Sequence, residues 1–152
     1  MVEFLKILKL VKIIWMELSG YSGTPLAKKL GVKEGFQFLL RNEPSHYFDL
    51  FSDFPKTAEE VEIPEVGSLD FIHVFVKSDQ ELVEITSEAK EYLKKSGMLW
   101  VSWPKGSSKI VSSINRESVR AFVLSIGLVD IKVCSVDKDW SALKFVYRTK
   151  DR

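Results

Sequence analysis

The chain has 152 residues, of which 45% are hydrophobic and 28% are charged, and these values are typical of one ordinary globular domain. Its 22 lysines and arginines nearly balance 21 aspartates and glutamates, which gives a formal net charge of +1. This balance argues against a protein that binds nucleic acid over its whole surface, although a local basic patch is still compatible with it. A single cysteine and two histidines exclude an intramolecular disulfide and a cysteine-rich metal cluster, and we expect neither a metal site nor a nucleic-acid partner.

Residues 1–15 are predicted to form an amphipathic N-terminal extension. On a helix, Lys6, Lys9 and Lys12 cluster on one side, and the apolar residues share the other side. The segment is shorter than the roughly 20 apolar residues that a bilayer span requires. Three interpretations are open: the helix lies on a membrane surface, it packs on its own domain or on a partner, or it precedes a translation start at Met16.

Residues 16–152 are predicted to form a single α/β domain. Three nearly continuous apolar runs, 36–41, 69–76 and 98–103, are typical of parallel strands covered on both faces, and a weaker strand is predicted at 61–63. Capping residues, glycines and prolines bound four predicted helices, at 25–30, 46–54, 78–95 and 116–126. Gly97 is predicted to end the third of these helices.

The C-terminal part of the chain predicts an antiparallel strand pair at 129–136 and 141–148, joined by a turn at 137–139. The preceding alternation of strands and helices implies parallel pairing through right-handed crossovers. We therefore expect a doubly wound, mostly parallel Rossmann-like sheet in a three-layer α/β/α arrangement, with one antiparallel strand near the C-terminus.

The order of the last four predicted strands resembles the second half of the class I methyltransferase fold. Those enzymes hold S-adenosylmethionine on a glycine-rich turn after the first strand, because glycine lets the backbone approach the ligand closely. Here the first strand runs into Arg41-Asn42-Glu43-Pro44, without a glycine. Glu62 and Glu65 are poor candidates for the acidic residue that binds the ribose in those enzymes. The resemblance therefore implies the fold, and we expect no cofactor.

Four stretches of the chain resemble a family of small bacterial proteins defined by a domain of unknown function. They are SGYSGTPLAKKLG at 19–31, LDFIHVF at 69–75, GMLWVSWPK at 97–105 and GLVDIKVCSVDKDWSALK at 127–144. This resemblance implies no activity. It begins after Met16, which favours the interpretation of residues 1–15 as an upstream extension.

Open α/β sheets bind ligands at the carboxyl ends of their strands. The residues predicted at that edge combine cations, tryptophans and hydroxyls, which suit a small anionic or planar ligand. They are Arg41, Asn42, Lys77, Ser78, Trp103, Lys105 and Trp140. In the competing interpretation, the two tryptophans cover the sheet edge and the lysines are solvated.

No side chain has a recognisable catalytic context. His73 lies within a predicted strand and is interpreted as a hydrogen-bonded core histidine, and Cys134 as a small buried apolar residue. We therefore expect a cytoplasmic, non-catalytic binding or regulatory domain whose carboxyl-edge cleft takes a small anionic ligand or a protein partner. Two alternatives are a methyltransferase-like enzyme with an atypical cofactor site and a peripheral membrane protein anchored by residues 1–15.

Overall fold

The computed structural model describes residues 2–18 and 23–152, so Ser19–Ser22 of the first family-like stretch lie outside the described residues. The helices are α1 (Val2–Leu18), α2 (Leu26–Leu30), α3 (Asp79–Tyr92) and α4 (Arg116–Ser125). The strands are β1 (Gln37–Arg41), β2 (Glu59–Glu60), β3 (Leu69–Phe75), β4 (Leu93–Pro104), β5 (Leu128–Ser135) and β6 (Trp140–Tyr147). Two short 3₁₀ helices cover Tyr47–Leu50 and Thr149–Asp151.

The six strands form one sheet in the order β2-β1-β3-β4-β6-β5. Strands β2, β1, β3 and β4 are mutually parallel, and β6 runs antiparallel to both β4 and β5. The predicted Rossmann-like sheet with one antiparallel strand near the C-terminus is therefore confirmed. The weak strand predicted at 61–63 is displaced, because the pairing with β1 is made by Glu59 and Glu60.

One face of the sheet, here called the helical face, is covered by α3 and α4. Leu82 of α3 and Val119 and Val123 of α4 pack with aliphatic side chains of the strands in a single buried cluster. Asn115 begins α4 with a capping box, in which its side chain accepts from the backbone N–H of Ser118 at 3.0 Å. Amphipathic periodicity and caps therefore account for this layer.

The opposite face, here called the aromatic face, is covered by α2 and by the loop of residues 47–54. The helix predicted at 46–54 is wrong: only Tyr47–Leu50 is helical, and Phe51 is already extended at φ −109° and ψ 133°. Pro44 and Pro55 bracket the segment, and its rings pack edge to face instead of along a helix stripe. The second helical layer is consequently thin.

The start of β4 also differs from the prediction. Helix α3 ends at Tyr92 and β4 begins at Leu93, so Gly97 lies within the strand and does not end a helix. Pairing jumps from Leu69↔Leu93 to Phe71↔Met98, which leaves extra residues in β4. A Cβ at Gly97 would lie 2.7 Å from the carbonyl oxygen of Leu69, so the glycine permits a close approach of two backbones.

Helix α1 runs past the predicted boundary at residues 15 and 16. Its residues 3–11 are all exposed, including Phe4 at 62%. Residues 3–11 of α1 therefore do not pack on the rest of the described protein, and the membrane-surface, partner and upstream-extension interpretations stay predictions. None of the described helices is both long and apolar enough to cross a membrane.

Candidate functional site at the carboxyl edge of the sheet

A pocket of about 430 Å³ opens at the carboxyl ends of β1 and β3. The chain leaves β1 towards β2 on one side and returns to β3 on the other, so the pocket lies at the switch point where open α/β sheets bind ligands. We call it the carboxyl-edge pocket. It is lined by Asn42, Glu43, Pro44, Phe75, Lys77, Glu81 and Trp140.

The turn after β1 has a special backbone geometry. Asn42 has a φ of +57°. Among the described residues, no other non-glycine residue has a positive φ. Asparagine tolerates this left-handed region better than most residues, and glycine commonly occupies it. The sequence without a glycine therefore still forms a left-handed turn at the end of the first strand.

Glu81 joins the ends of the two strands. The Nδ2 group of Asn42 donates to Oε2 of Glu81 at 3.0 Å, and the backbone N–H of Lys77 donates to Oε1 at 2.9 Å. Glu81 lies in the first turn of α3, where the helix dipole favours a carboxylate. The wall of the pocket is thus fixed by one charged side chain held at both of its oxygens.

Carboxylates gather beside the pocket, around the ends of β1 and β2. The pKa of Glu60 is raised, first by partial burial and then by the negative charges of Glu43 and Glu62. Three carboxylates this close together supply hydrogen-bond acceptors for hydroxyl or amino groups.

The pocket floor is aromatic and is supported by a buried polar network. The rings of Phe75 and Trp140 meet edge to face at 4.9 Å, and Phe75 stacks on His73 at 4.4 Å. His73 bonds through Nδ1 to the hydroxyl of Tyr47 at 3.0 Å and through Nε2 to Oγ of Ser102 at 2.7 Å. Burial lowers the pKa of His73 to about 3. It is a neutral, hydrogen-bonded core histidine, as the sequence predicts.

Of the seven residues predicted at this edge, Asn42, Lys77 and Trp140 line the carboxyl-edge pocket. Ser78 caps α3, because its Oγ accepts from the backbone N–H of Glu81 at 3.1 Å. Trp103 belongs to the buried cluster on the helical face. The ligand-binding role of these residues stays a prediction.

The three predicted cations do not share one site. Arg41 forms an exposed ion pair with Glu88 of α3 at 3.1 Å. The Nζ of Lys105 donates to Oγ of Ser135 in β5 at 2.6 Å, and burial lowers the pKa of Lys105. Only Lys77 lines the pocket, so the three side chains do not converge on one anion.

Sequence reasoning missed Glu43, Pro44, Phe75 and Glu81. A usable signal exists for Glu81, which lies four residues after Lys77 and three after the cap of α3. A first-turn carboxylate at the end of a parallel strand faces the ligand edge of the sheet. An asparagine directly after a strand is itself a general indication of a left-handed turn residue, and this could have predicted the conformation of Asn42.

Solved structures of methyltransferases share this fold. A candidate type 11 methyltransferase from Sulfolobus solfataricus superposes with a TM-score of 0.59 at 15% identity, over 82% of this chain and 90% of that one. A SAM-dependent methyltransferase from Aquifex aeolicus gives 0.54 at 14% identity, over 79% and 86%. DhpI, solved in complex with SAH, gives 0.53 at 8% identity, over 90% and 88%.

No family model and no curated protein sequence matches the chain. The structural likeness nevertheless corrects one expectation from the sequence. We expected a non-catalytic binding or regulatory domain, whereas solved structures that are named as methyltransferases share its fold over most of both chains. The chain has a methyltransferase-like fold.

Proposed function

We propose that this chain is a methyltransferase-like enzyme that binds S-adenosylmethionine in the carboxyl-edge pocket through an atypical cofactor site. The observation that carries the proposal is the left-handed turn at Asn42, which borders the pocket at the end of the first strand. A glycine-rich turn serves this purpose in the class I fold. Here an asparagine supplies a left-handed backbone at the end of the strand, and Glu81 holds its side chain at the pocket wall.

The carboxylates beside the pocket fit a nucleoside. Ribose hydroxyls are donors that need acceptors, and Glu60 at the end of β2, with Glu43 and Glu62 nearby, provides them. The pocket volume of about 430 Å³ lies in the range of sites that enclose small ligands.

The opposite charges of Lys77 and Glu81 fit the amino-acid end of the cofactor. Both residues line the pocket, and a zwitterion offers a carboxylate to the lysine and an ammonium to the glutamate. Phe75 and Trp140 present aromatic surface, which attracts a positively charged sulfonium group. When bound, the cofactor supplies a methyl group activated on that sulfonium. The residues of the chain bind and orient it and exclude water.

The experiment is a calorimetric titration of the full chain with S-adenosylmethionine and with S-adenosylhomocysteine. We expect binding of both, and a loss of about 10-fold or more in Glu60→Gln, because a hydrogen bond to a charged acceptor contributes about 1.5–3 kcal/mol. Glu59→Gln is the matched control, since the neighbouring carboxylate on the same two-residue strand should leave the affinity unchanged.

Two results would overturn the proposal. One is the absence of any binding at millimolar ligand, with the protein shown to be folded by its cooperative melt. The other is an equal affinity in Glu60→Gln and Glu59→Gln combined with an unchanged affinity in Lys77→Met, because the ligand would then lie outside the carboxyl-edge pocket.

A further inference from the structure

Five lysines gather on the aromatic face of the sheet beside α2, although the whole chain has a net charge of only +1. We call them the lysine surface: Lys29, Lys33, Lys105, Lys132 and Lys144. Lys132 of β5 and Lys144 of β6 are direct partners in the sheet register, so two like charges stand opposite each other. Such an arrangement destabilises a strand pair. Two cations held side by side raise the local positive potential, which attracts anions.

Hydrogen bonds tie this surface together. The Nζ of Lys132 donates to the carbonyl oxygen of Lys29 at 3.0 Å, and the Nζ of Lys29 donates to the carbonyl oxygen of Ser135 at 3.2 Å. The Nζ of Lys105 reaches the hydroxyl of the same Ser135. The ammonium groups of Lys29, Lys105 and Lys132 are therefore held on oxygens of α2 and β5.

The two ends of the lysine surface differ in charge balance. The pKa of Lys144 is lowered by burial and then by the positive charges of Lys132 and Lys33. At the other end, the negative charges of Asp137 and Asp139 act on Lys105 and partly offset the cations there. Cations therefore surround Lys144, whereas carboxylates accompany Lys105 near the carboxyl edge.

The spread of the lysine surface favours an extended anionic chain over a single anion. Lys132 and Ser135, which accepts from Lys29 and Lys105, are three residue steps apart in β5, and this corresponds to about 10 Å along a strand. A nucleic-acid strand carries one phosphate per nucleotide, so it presents more than one negative charge over this distance. A single phosphate would occupy only a fraction of it.

The lysine surface also leads to the carboxyl-edge pocket. Trp140 and Lys144 are separated by four residues of β6, so their side chains stand on the same face of the sheet. Trp140 lines the pocket. A strand whose phosphates lie along the lysines would thus bring a nucleotide to the mouth of the pocket.

We propose that the lysine surface binds the phosphate backbone of a nucleic-acid strand. Nucleic acid is then the substrate class of the carboxyl-edge pocket, and this second statement rests on the proposed function. The balanced total charge, from which we expected no nucleic-acid partner, conceals this local concentration of cations.

The test is fluorescence anisotropy of the full chain with a fluorescein-labelled 12-nucleotide oligouridine at low salt. We expect binding that weakens at least 10-fold in the double variant Lys132→Glu/Lys144→Glu. The control Lys95→Glu/Lys150→Glu changes the net charge equally at exposed positions outside the lysine surface, and should stay within about 3-fold of the unmodified chain. The double variant Lys132→Gln/Lys144→Gln should lower the salt slope by about 1.4, since single-stranded contacts contribute about 0.7 each.

Three outcomes would overturn this inference: no binding of the oligonucleotide, an equal loss in both glutamate variants, or binding only to phosphatidylglycerol vesicles through the same lysines. Cofactor calorimetry keeps it separate from the proposed function, because Lys132→Glu/Lys144→Glu should bind S-adenosylmethionine like the unmodified chain. Oligonucleotide binding without cofactor binding would reject the proposed function and leave the lysine surface standing. Cofactor binding without oligonucleotide binding would reject the nucleic-acid role of the lysine surface and support the proposed function.

Discussion

The helical face and the aromatic face of the sheet are stabilised in different ways. On the helical face, aliphatic side chains of α3 and α4 pack on the strands in one apolar cluster. On the aromatic face, rings meet edge to face around His73, whose two ring nitrogens both have buried partners. The pocket floor and the lysine surface both belong to the aromatic face. The comparison indicates that the helical face stabilises the fold mainly by apolar burial, while the aromatic face adds a buried polar network and carries the sites that we propose for binding.

The largest expected effect tests the burial of the helical face. Phe145 is fully buried there, so Phe145→Ala should lower the free energy of unfolding by about 3–5 kcal/mol. Phe48→Ala truncates a ring of the aromatic face that is 47% exposed, and should cost about 1 kcal/mol. Urea unfolding measures both values. Equal losses would mean that the aromatic loop contributes as much to stability as the helical layer.

A pH-dependent effect of intermediate size distinguishes the buried polar network. The pKa of His73 is lowered by burial to about 3 in the folded chain, against 6.5 for an ordinary histidine. Between these values the unfolded chain binds a proton that the folded chain does not, so stability falls as the pH drops below 6.5. At pH 5 this loss amounts to about 2 kcal/mol.

Urea unfolding of His73→Phe at pH 8 and pH 5 should show a smaller loss in the free energy of unfolding at pH 5 than in the unmodified chain, because the contribution of His73 is removed. His46→Gln, which replaces the half-exposed histidine, should retain it. If both variants lost stability with falling pH as steeply as the unmodified chain, carboxylates alone would cause the effect, and His73 would not distinguish the two faces.

The smallest effect concerns single hydroxyl groups. Tyr47→Phe removes the hydroxyl that bonds to Nδ1 of His73, and should cost about 1 kcal/mol or somewhat more, because a buried partner loses its hydrogen bond. Tyr147→Phe is the counterpart at the helical face, where the hydroxyl reaches the carbonyl oxygen of Lys90 only at 3.5 Å. Thermal melts of the two variants should differ, with Tyr147→Phe close to the unmodified chain.

The sequence was sufficient for most of the helical face and for the parallel order of the central strands. The strand predicted at 69–76 follows from a local run of apolar residues, and the start of α4 follows from the capping residue Asn115. Neither pattern depends on distant residues. The helix predicted at 46–54 failed because its aromatic spacing reflects packing against Phe38 and not a helix stripe. Gly97 failed for a similar reason, since its role is set by the backbone of Leu69.

The candidate site was predictable only where position along the chain fixes position in space. Asn42, Lys77 and Trp140 come directly at strand ends, so the predicted sheet brings them to one edge. Arg41 and Lys105 satisfy the same criterion but turn towards Glu88 and Ser135. The direction of a long side chain depends on its nearest partner, and a single sequence does not reveal that partner.

The two outer strands of the sheet have a consequence for self-association. Strand β2 is only two residues long and consists of exposed glutamates, and β5 shifts its register between Asp130 and Lys132. Short length, charge and a bulge each discourage an edge strand from pairing with another chain. Ile131 and Val133 are exposed on β5. The charged side chain of Lys132 lies between them, so the edge strand does not present a continuous apolar surface. Both edge strands therefore discourage amyloid-like growth by strand addition. The central strands between them are apolar and buried.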